Sequence, residues 1–257
     1  AVIRLPRISN FTDIAPLEAV DELDVSYVSN ISQFGDPDVV IIPGSKNTIS
    51  DLLWMRQNGL EGKILRHAAK GGIVFGICGG YQMLGQSISD PTGAEQKGTV
   101  RGMGLLPVTT VFEQEKRRTR VSGRFAKVGG ALAEMSGVCY EGYEIHMGRT
   151  VLSKGTVPLV YMEEEGEQRQ DGAQSDHVYG CYMHGIFDMS ETVKTFLAAV
   201  LRKKGIDPSK ITVRDRNAYK EEQYDRLASI VRENLNMEAV YKIIEKGNEA
   251  SCSLLSE

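Results

Sequence analysis

Cysteine is scarce and scattered in this chain. Of 257 residues four are cysteine, at positions 78, 139, 181 and 252, and no two form a Cys-x-x-Cys pair. That spacing argues against a zinc site or a disulfide framework and makes a reducing, cytoplasmic setting the expectation. No stretch approaches the roughly 18 consecutive apolar residues of a membrane span, and no secretory signal opens the sequence. Basic charge is not in excess either. Lys and Arg number 30 against 34 Asp and Glu, a formal net charge of −4. Nucleic acid and membranes are therefore not the expected partners. A Gly-x-x-x-x-Gly-Lys-[Ser/Thr] loop is missing, so nothing visibly activates a carboxylate with ATP. Internal repeats and low-complexity tracts are missing as well.

What is present centres on Gly72 to Gly85. Ile73 to Ile77 is a short apolar run that reads as a strand buried on both faces of a parallel sheet. Tyr81 to Leu84 suits a helix. Cys78 therefore sits at a strand-to-helix corner, with Gly76, Gly79 and Gly80 giving room for a tight, strained turn. This is a nucleophile elbow with Cys in the place of Ser. The corner puts the sulfur at a helix N-terminus, a setting that favours thiolate. It also aims the Gly79 N–H at an oxyanion formed on a carbonyl that the sulfur attacks.

Around the elbow, strands and helices alternate. Ala1–Leu5, Asp24–Val28 and Val39–Ile42 read as strands, and 16–20, 49–56 and 60–70 as helices. This pattern predicts an α/β fold: three layers, α/β/α, flavodoxin-like, with a mixed, mostly parallel sheet. Val39–Ile42 ends in Pro43-Gly44-Ser45-Lys46-Asn47-Thr48, a loop where such sheets place ligands. After Gly85 strands predominate, at 105–112, 119–125, 140–146 and 158–162. Glu163–Asp176 reads as a hairpin loop and His177–Tyr182 as a further strand. The Lys116–Arg120 cluster is either a solvated face or an anion site. Past Pro208, apolar stripes at Leu227–Leu235 and Val240–Ile244 predict helices. The expected division is a main domain over 1–205 and a helical extension over 206–257 packed on it, its last residues frayed. The abrupt strand at Ala1 suggests a fragment or a processed product.

A reactive thiol needs a base, and there are four histidines. His67 lies in a charged helix and His177 opens a strand. His146 and His184 each end a strand close to a glycine, as a nucleophile's partner requires. Residues alone leave these two open.

Four blocks carry a resemblance. Gly76–Gly85 is similar to the nucleophile motif of class I, triad-type glutamine amidotransferases. Together with Ile42–Thr48, Tyr143–Gly148 and Tyr182–Asp188, in that order, it resembles the C-terminal glutaminase domain of the cobyric acid synthase family. Arg4–Asp13 is similar to the join between the two domains of those enzymes. The resemblance implies Cys78 as nucleophile and His184 as base. It implies Gly44 and Gly79 as oxyanion donors, with Ser45 in the same loop, and Gln82 near the glutamine. Arg120 is expected to hold the glutamine α-carboxylate. One departure stands out: the Glu that most triad enzymes carry two residues after the base is Ile186 here. The third member is thus missing or supplied elsewhere, with Glu144 and Asp188 as candidates and His146 as the rival base.

The family implies that ammonia from glutamine serves an N-terminal, ATP- and magnesium-dependent synthetase domain that is not in this sequence. There it amidates adenosylcobyrinic acid a,c-diamide, a corrinoid, in cobalamin biosynthesis. No cofactor or metal is expected on this chain itself. Two alternatives remain: the glutaminase subunit of a lipid II-amidating complex, or a non-catalytic regulatory domain of the same fold. With the Gly44–Ser45 loop not pinned locally and no Glu beside His184, the site is expected to be incomplete until the synthetase domain docks.

Overall fold

Four neighbouring strands of one mostly parallel sheet lead to Cys78, the Gly44–Ser45 loop, His184 and Asp13. The computed structural model describes residues 1–164, 167–213 and 216–253. In chain order the elements begin with β1 (Val2–Ile3), β2 (Ile8–Ser9), a 3-10 turn at Phe11–Asp13 and α1 (Ala15–Glu18). β3 (Tyr27–Val28), β4 (Val39–Ile42), β5 (Gly44–Ser45), α2 (Thr48–Gln57) and α3 (Leu60–Ala69) follow. Next come β6 (Ile73–Ile77), α4 (Gly79–Leu84), β7 (Ser87–Asp90) and β8 (Gly98–Arg101). Then come β9 (Val108–Phe125), β10 (Cys139–Leu152), β11 (Val160–Glu164), β12 (Glu167–Asp171), β13 (Ala173–Ser175) and β14 (Val178–Cys181). Helices α5 (Ser190–Lys203), α6 (Arg216–Asn234) and α7 (Met237–Ser253) close the chain.

The main sheet has the order β13-β14-β6-β4-β1-β3. It is parallel throughout except for β13, which pairs antiparallel with β14 at one edge. β6 is its buried centre, with all five residues buried, as an unbroken apolar run demands. Its two faces are covered by different helices. Phe75 meets Phe196 of α5 edge-on, while a Cβ on Gly76 would lie 2.6 Å from Leu84 Cδ1 of α4. Neighbouring strand residues point to opposite faces, so α4 and α5 lie on opposite sides and the unit has three layers.

The second sheet, β12-β11-β9-β7-β8 with β10 on β9, is where sequence patterning and structure part most. β9 and β10 are one long antiparallel ribbon, bent by a bulge between Met147 and Arg149 where Gly148 takes a φ of 97°. Glu163–Asp176, expected as a loop, is mostly strand: β11 pairs with β12, and β13 follows. Polar residues there alternate on a half-exposed sheet, so composition imitates a loop.

The chain divides into two compact units, Ala1–Val213 and Arg214–Glu257. The first extends beyond the expected boundary at residue 205. The second holds α6 and α7, where two helices were expected. Fraying is expected from Gly247 to Glu257, but α7 continues through Gly247 to Ser253, and 254–257 lie outside the described residues. Among the described residues no helix is long and apolar enough to cross a membrane.

Candidate active site

The site is built from the C-terminal ends of four neighbouring parallel strands, the edge where such sheets place ligands. β6 delivers Cys78, β4 delivers the Gly44–Ser45 loop, β14 leads to His184, and β1 leads into the segment ending at Asp13.

Cys78 has φ 52° and ψ −107°, a conformation L-residues rarely adopt. Holding it costs on the order of 1–3 kcal/mol, met by the packing around the corner. The glycines make that packing possible. A Cβ on Gly80 would lie 2.0 Å from the Ile42 carbonyl, so α4 could not approach β4 with any other residue there. The Cys78 N–H is anchored on the Cys181 carbonyl at 2.8 Å, and Sγ lies 3.8 Å from the Ile145 carbonyl. The residue is buried, with 7% of its surface exposed.

His184 is fully buried. Its backbone bridges to Tyr143 of β10, whose ring stacks on the imidazole at 5.3 Å. Nδ1 lies 2.7 Å from Oδ2 of Asp13, and Oδ1 of Asp13 accepts the Gly185 N–H at 2.9 Å. Asp13 is itself buried. Burial opposes charge on the His184 ring, yet the Asp13 bond and the neighbouring Cys78 thiol raise it to about 10. Asp13 thus stands behind the ring on its Nδ1 side.

Asp13 is the residue that sequence reasoning missed. Of the expected candidates, Glu144 follows Tyr143 on β10 and points to the other face of the ribbon. There it is buried and ion-paired with Arg117 at 3.0 Å and with Arg169, with His146 Nε2 at 3.7 Å. Burial would raise its carboxyl, but His146 and Arg169 hold it down at about 2. Asp188 stays at the Gly185 turn: a Cβ on Gly185 would lie 3.1 Å from its Oδ2. His146 shares the Glu144 face, stacks on Tyr182 at 3.6 Å and sets Nδ1 3.1 Å from the Gly148 carbonyl. Unlike His184, it sets Nδ1 on a backbone carbonyl and not on a carboxylate. No spacing rule links Asp13 to position 184. The only signal was a carboxylate inside the Arg4–Asp13 block.

That same segment pins the oxyanion loop. β2 pairs antiparallel with β5, Ser9 opposite Gly44 and Ile8 opposite Ser45. The Lys46 N–H donates to the Arg7 carbonyl at 2.9 Å. By the alternation of an antiparallel ladder, Ser9 and Gly44 form the hydrogen-bonded pair and the Ser45 N–H points away from β2. Ser45 N lies beside the elbow: a Cβ on Gly79 would sit 3.0 Å from it. The Ser45 hydroxyl is engaged elsewhere, donating to Asp51 at 2.7 Å. The loop is therefore held and the base is oriented within this chain, against the expectation of an incomplete site.

Gln82 is buried and fully engaged. Its Nε2 donates to the Met147 carbonyl and the Tyr182 hydroxyl, and its Oε1 accepts from Thr48. It ties α4 to β10 and to the start of α2. Arg118 and Arg120 are exposed. They pair in register with Ile145 and Tyr143, the residues that touch Cys78 and His184. Both arginines thus share the ribbon face that borders the site.

A cysteine elbow, a buried histidine and a carboxylate behind it, all on the C-terminal edge of a parallel sheet, define a class I glutamine amidotransferase. Solved structures share the fold. One is PurLQS from Thermotoga maritima, with a TM-score of 0.58 and 17% identity over 79% of this chain and 97% of that one. Another is a glutamine amidotransferase with a TM-score of 0.53 and 14% identity over 80% of this chain and 99% of that one. Residues 1–192 match the CobB/CobQ-like glutamine amidotransferase domain, and the chain belongs to that family. A cobyric acid synthase from Ruminiclostridium cellulolyticum is 52% identical over 97% of this chain and 49% of its own length. One from Lachnoclostridium phytofermentans is 44% identical over 96% of this chain and 50% of its own. The chain spans about half the length of the curated relatives it matches.

Proposed function

We propose that this chain is the ammonia-producing half of a cobyric acid synthase. The observation that carries the chemistry is the Cys78–His184–Asp13 juxtaposition. The Cys78 thiolate attacks the side-chain amide carbon of glutamine. The N–H groups of Gly79 and Ser45 receive the oxyanion; the ladder commits the Gly44 N–H to Ser9, so Ser45 takes the place expected of Gly44. Losing one such donor typically costs on the order of 10²–10³ in rate. As the tetrahedral adduct collapses, the imidazolium of His184 protonates the leaving ammonia, and a γ-glutamyl thioester remains on Cys78. His184 then takes a proton from water, which attacks the thioester and releases glutamate. Asp13 holds Nδ1 throughout, so Nε2 carries the proton traffic. Arg120, on the bordering ribbon face, meets the glutamine α-carboxylate.

The ammonia then serves ATP- and magnesium-dependent amidation of adenosylcobyrinic acid a,c-diamide, a step of cobalamin biosynthesis, on a synthetase domain. The name shared by the relatives supports this acceptor over a lipid II precursor. The test is glutamate release from glutamine, with Cys78→Ala as control. It is repeated with a synthetase domain, ATP, magnesium and the diamide, reading corrinoid amidation. Glutamine hydrolysis without corrinoid amidation would remove the acceptor from this reading, and no hydrolysis at all would remove the glutaminase.

A further inference from the structure

Asp13 fixes one edge of the His184 ring, but a bond at one nitrogen leaves the ring free to rock about it. The group that meets the ring elsewhere is the side-chain amide of Asn10. Its Nδ2 is 2.9 Å from Nε2 and 3.3 Å from Nδ1. An atom in line with the Nε2 lone pair would be far more distant from Nδ1. Two such similar distances therefore put the amide against the face of the ring. Tyr143 stacks on the same ring at 5.3 Å. We propose that Asn10 is a positioning residue of the base, its amide fixing the plane of the His184 ring so that Nε2 stays turned to Cys78. This rests on the reading of Cys78 and His184 as the glutaminase pair.

The rival explanation is a backbone one. Asn10 has φ 52° and ψ 43°, and its carbonyl accepts the Asp13 N–H at 2.9 Å. After glycine, Asn is among the residues that tolerate this left-handed conformation best. On that account Asn10 only turns the chain so that Asp13 arrives, and its side chain is idle. The two accounts differ sharply for Asn10→Gly, which keeps the turn and removes the amide.

The experiment compares the wild-type chain with Asn10→Gly and Asn10→Asp. Asn10→Gly is expected to keep its Tm, to leave the glutamine KM within about twofold, and to lose roughly tenfold to a hundredfold in kcat. Asn10→Asp keeps the side-chain shape but adds a negative charge beside a ring already facing Asp13, Cys78 and the Tyr143 phenol. It is expected to move the alkaline limb of the kcat profile to higher pH. Wild-type kcat in Asn10→Gly would overturn the proposal. So would a pH profile for Asn10→Asp that superimposes on wild type, and this decides the matter if the glycine variant proves unstable. The rate of Cys78 alkylation by iodoacetamide, measured below neutral pH, reads the thiol–imidazole pair without glutamine. If even the wild type releases no glutamate, the glutaminase reading fails. Slower alkylation of Asn10→Gly would then still support the role of Asn10, and an unchanged rate would overturn it.

Discussion

Asp13 and His184 stand 171 positions apart and meet in a 2.7 Å contact between Oδ2 and Nδ1. The carboxylate reaches the base from before the sheet's second strand, not from the position after the base where most triad enzymes keep a Glu. With Nδ1–H given to Asp13, Nε2 is the nitrogen left to carry a proton between Cys78 and the leaving group. Asp13→Asn can present its N–H to Nδ1 and so favour the wrong tautomer. Removal of that control in serine triads costs about 10⁴. We expect Asp13→Asn to lose roughly 10²–10⁴ in kcat with the fold intact, measured as glutamate release beside circular dichroism. Activity within a few-fold of wild type would assign Asp13 a packing role only.

How much of this was legible beforehand follows from the reach of each signal. The elbow is local: an apolar run, a thiol and crowded glycines within one short stretch specify strand, corner and helix. The parallel sheet was legible from alternating patterns for the same reason. Asp13 was not, because its partner is chosen by which strand lies beside which, and no periodicity records that. Strand order puts β1 next to β4, and only then does the chain leaving β1 lie over the elbow. Glu144 is a candidate by sequence where Asp13 is not. Its exclusion needed the ribbon register, which turns it to the face opposite Tyr143.

The thiols offer a second expectation. Cys181 is fully buried and burial raises its thiol well above the ordinary range, whereas Cys139 is exposed. A general alkylating agent will therefore find Cys139 as well as Cys78. A glutamine-shaped diazoketone should label Cys78 alone, since among the thiols whose surroundings are described only Cys78 sits at the elbow beside Gly79 and Ser45. Peptide mapping that finds the label on Cys139 or Cys181 would remove Cys78 as the nucleophile.

Arg120 gives a third. It is exposed and sits opposite Tyr143, which stacks on the base. A guanidinium there can grip the end of glutamine remote from the reacting amide. Losing it removes binding felt equally in ground and transition states. Arg120→Ala should raise the glutamine KM by on the order of tenfold or more, with kcat little changed. An unaltered KM would return the cluster to a solvated face, and Arg118, opposite Ile145, would be the next residue to test.

Stability should depend on pH through two buried carboxylates of opposite sign. Burial, with Glu144 nearby, raises Asp171 from 3.8 to about 6. Between those values the folded protein keeps a proton that the unfolded chain has released. Stability therefore falls as pH rises through this window and stays lower above it. The shift corresponds to about 3 kcal/mol. Glu144 acts in the other direction, its contribution being lost as pH falls from 4.5 through about 2. Asp171→Asn is expected to stabilise the protein above neutral pH and to give no gain near the acid end of the window. Urea unfolding at several pH values measures it. Equal effects at all pH values would mean that Asp171 is not titrating in the folded state.

The final expectation concerns the chain without a synthetase. An unpinned oxyanion loop and an unoriented base would call for a docked partner before glutamine could be cleaved. Neither condition holds. Ser9 is laddered to Gly44, Lys46 donates to the Arg7 carbonyl, and Asp13 grips both His184 and Gly185. All of these contacts come from one segment, residues 7–13, so the loop and the base are ordered together and would be lost together. The chain alone should therefore hydrolyse glutamine at a rate within an order of magnitude of the same chain joined to a synthetase domain. Asp51→Ala should weaken the segment from a distance, because Asp51 accepts the Arg7 N–H and the Ser45 hydroxyl without touching the base. Its expected signature is a lowered kcat together with faster proteolysis between residues 4 and 13. A chain that is inactive alone but fully active when joined would show that docking changes this segment, and the contacts seen here would then describe a resting arrangement.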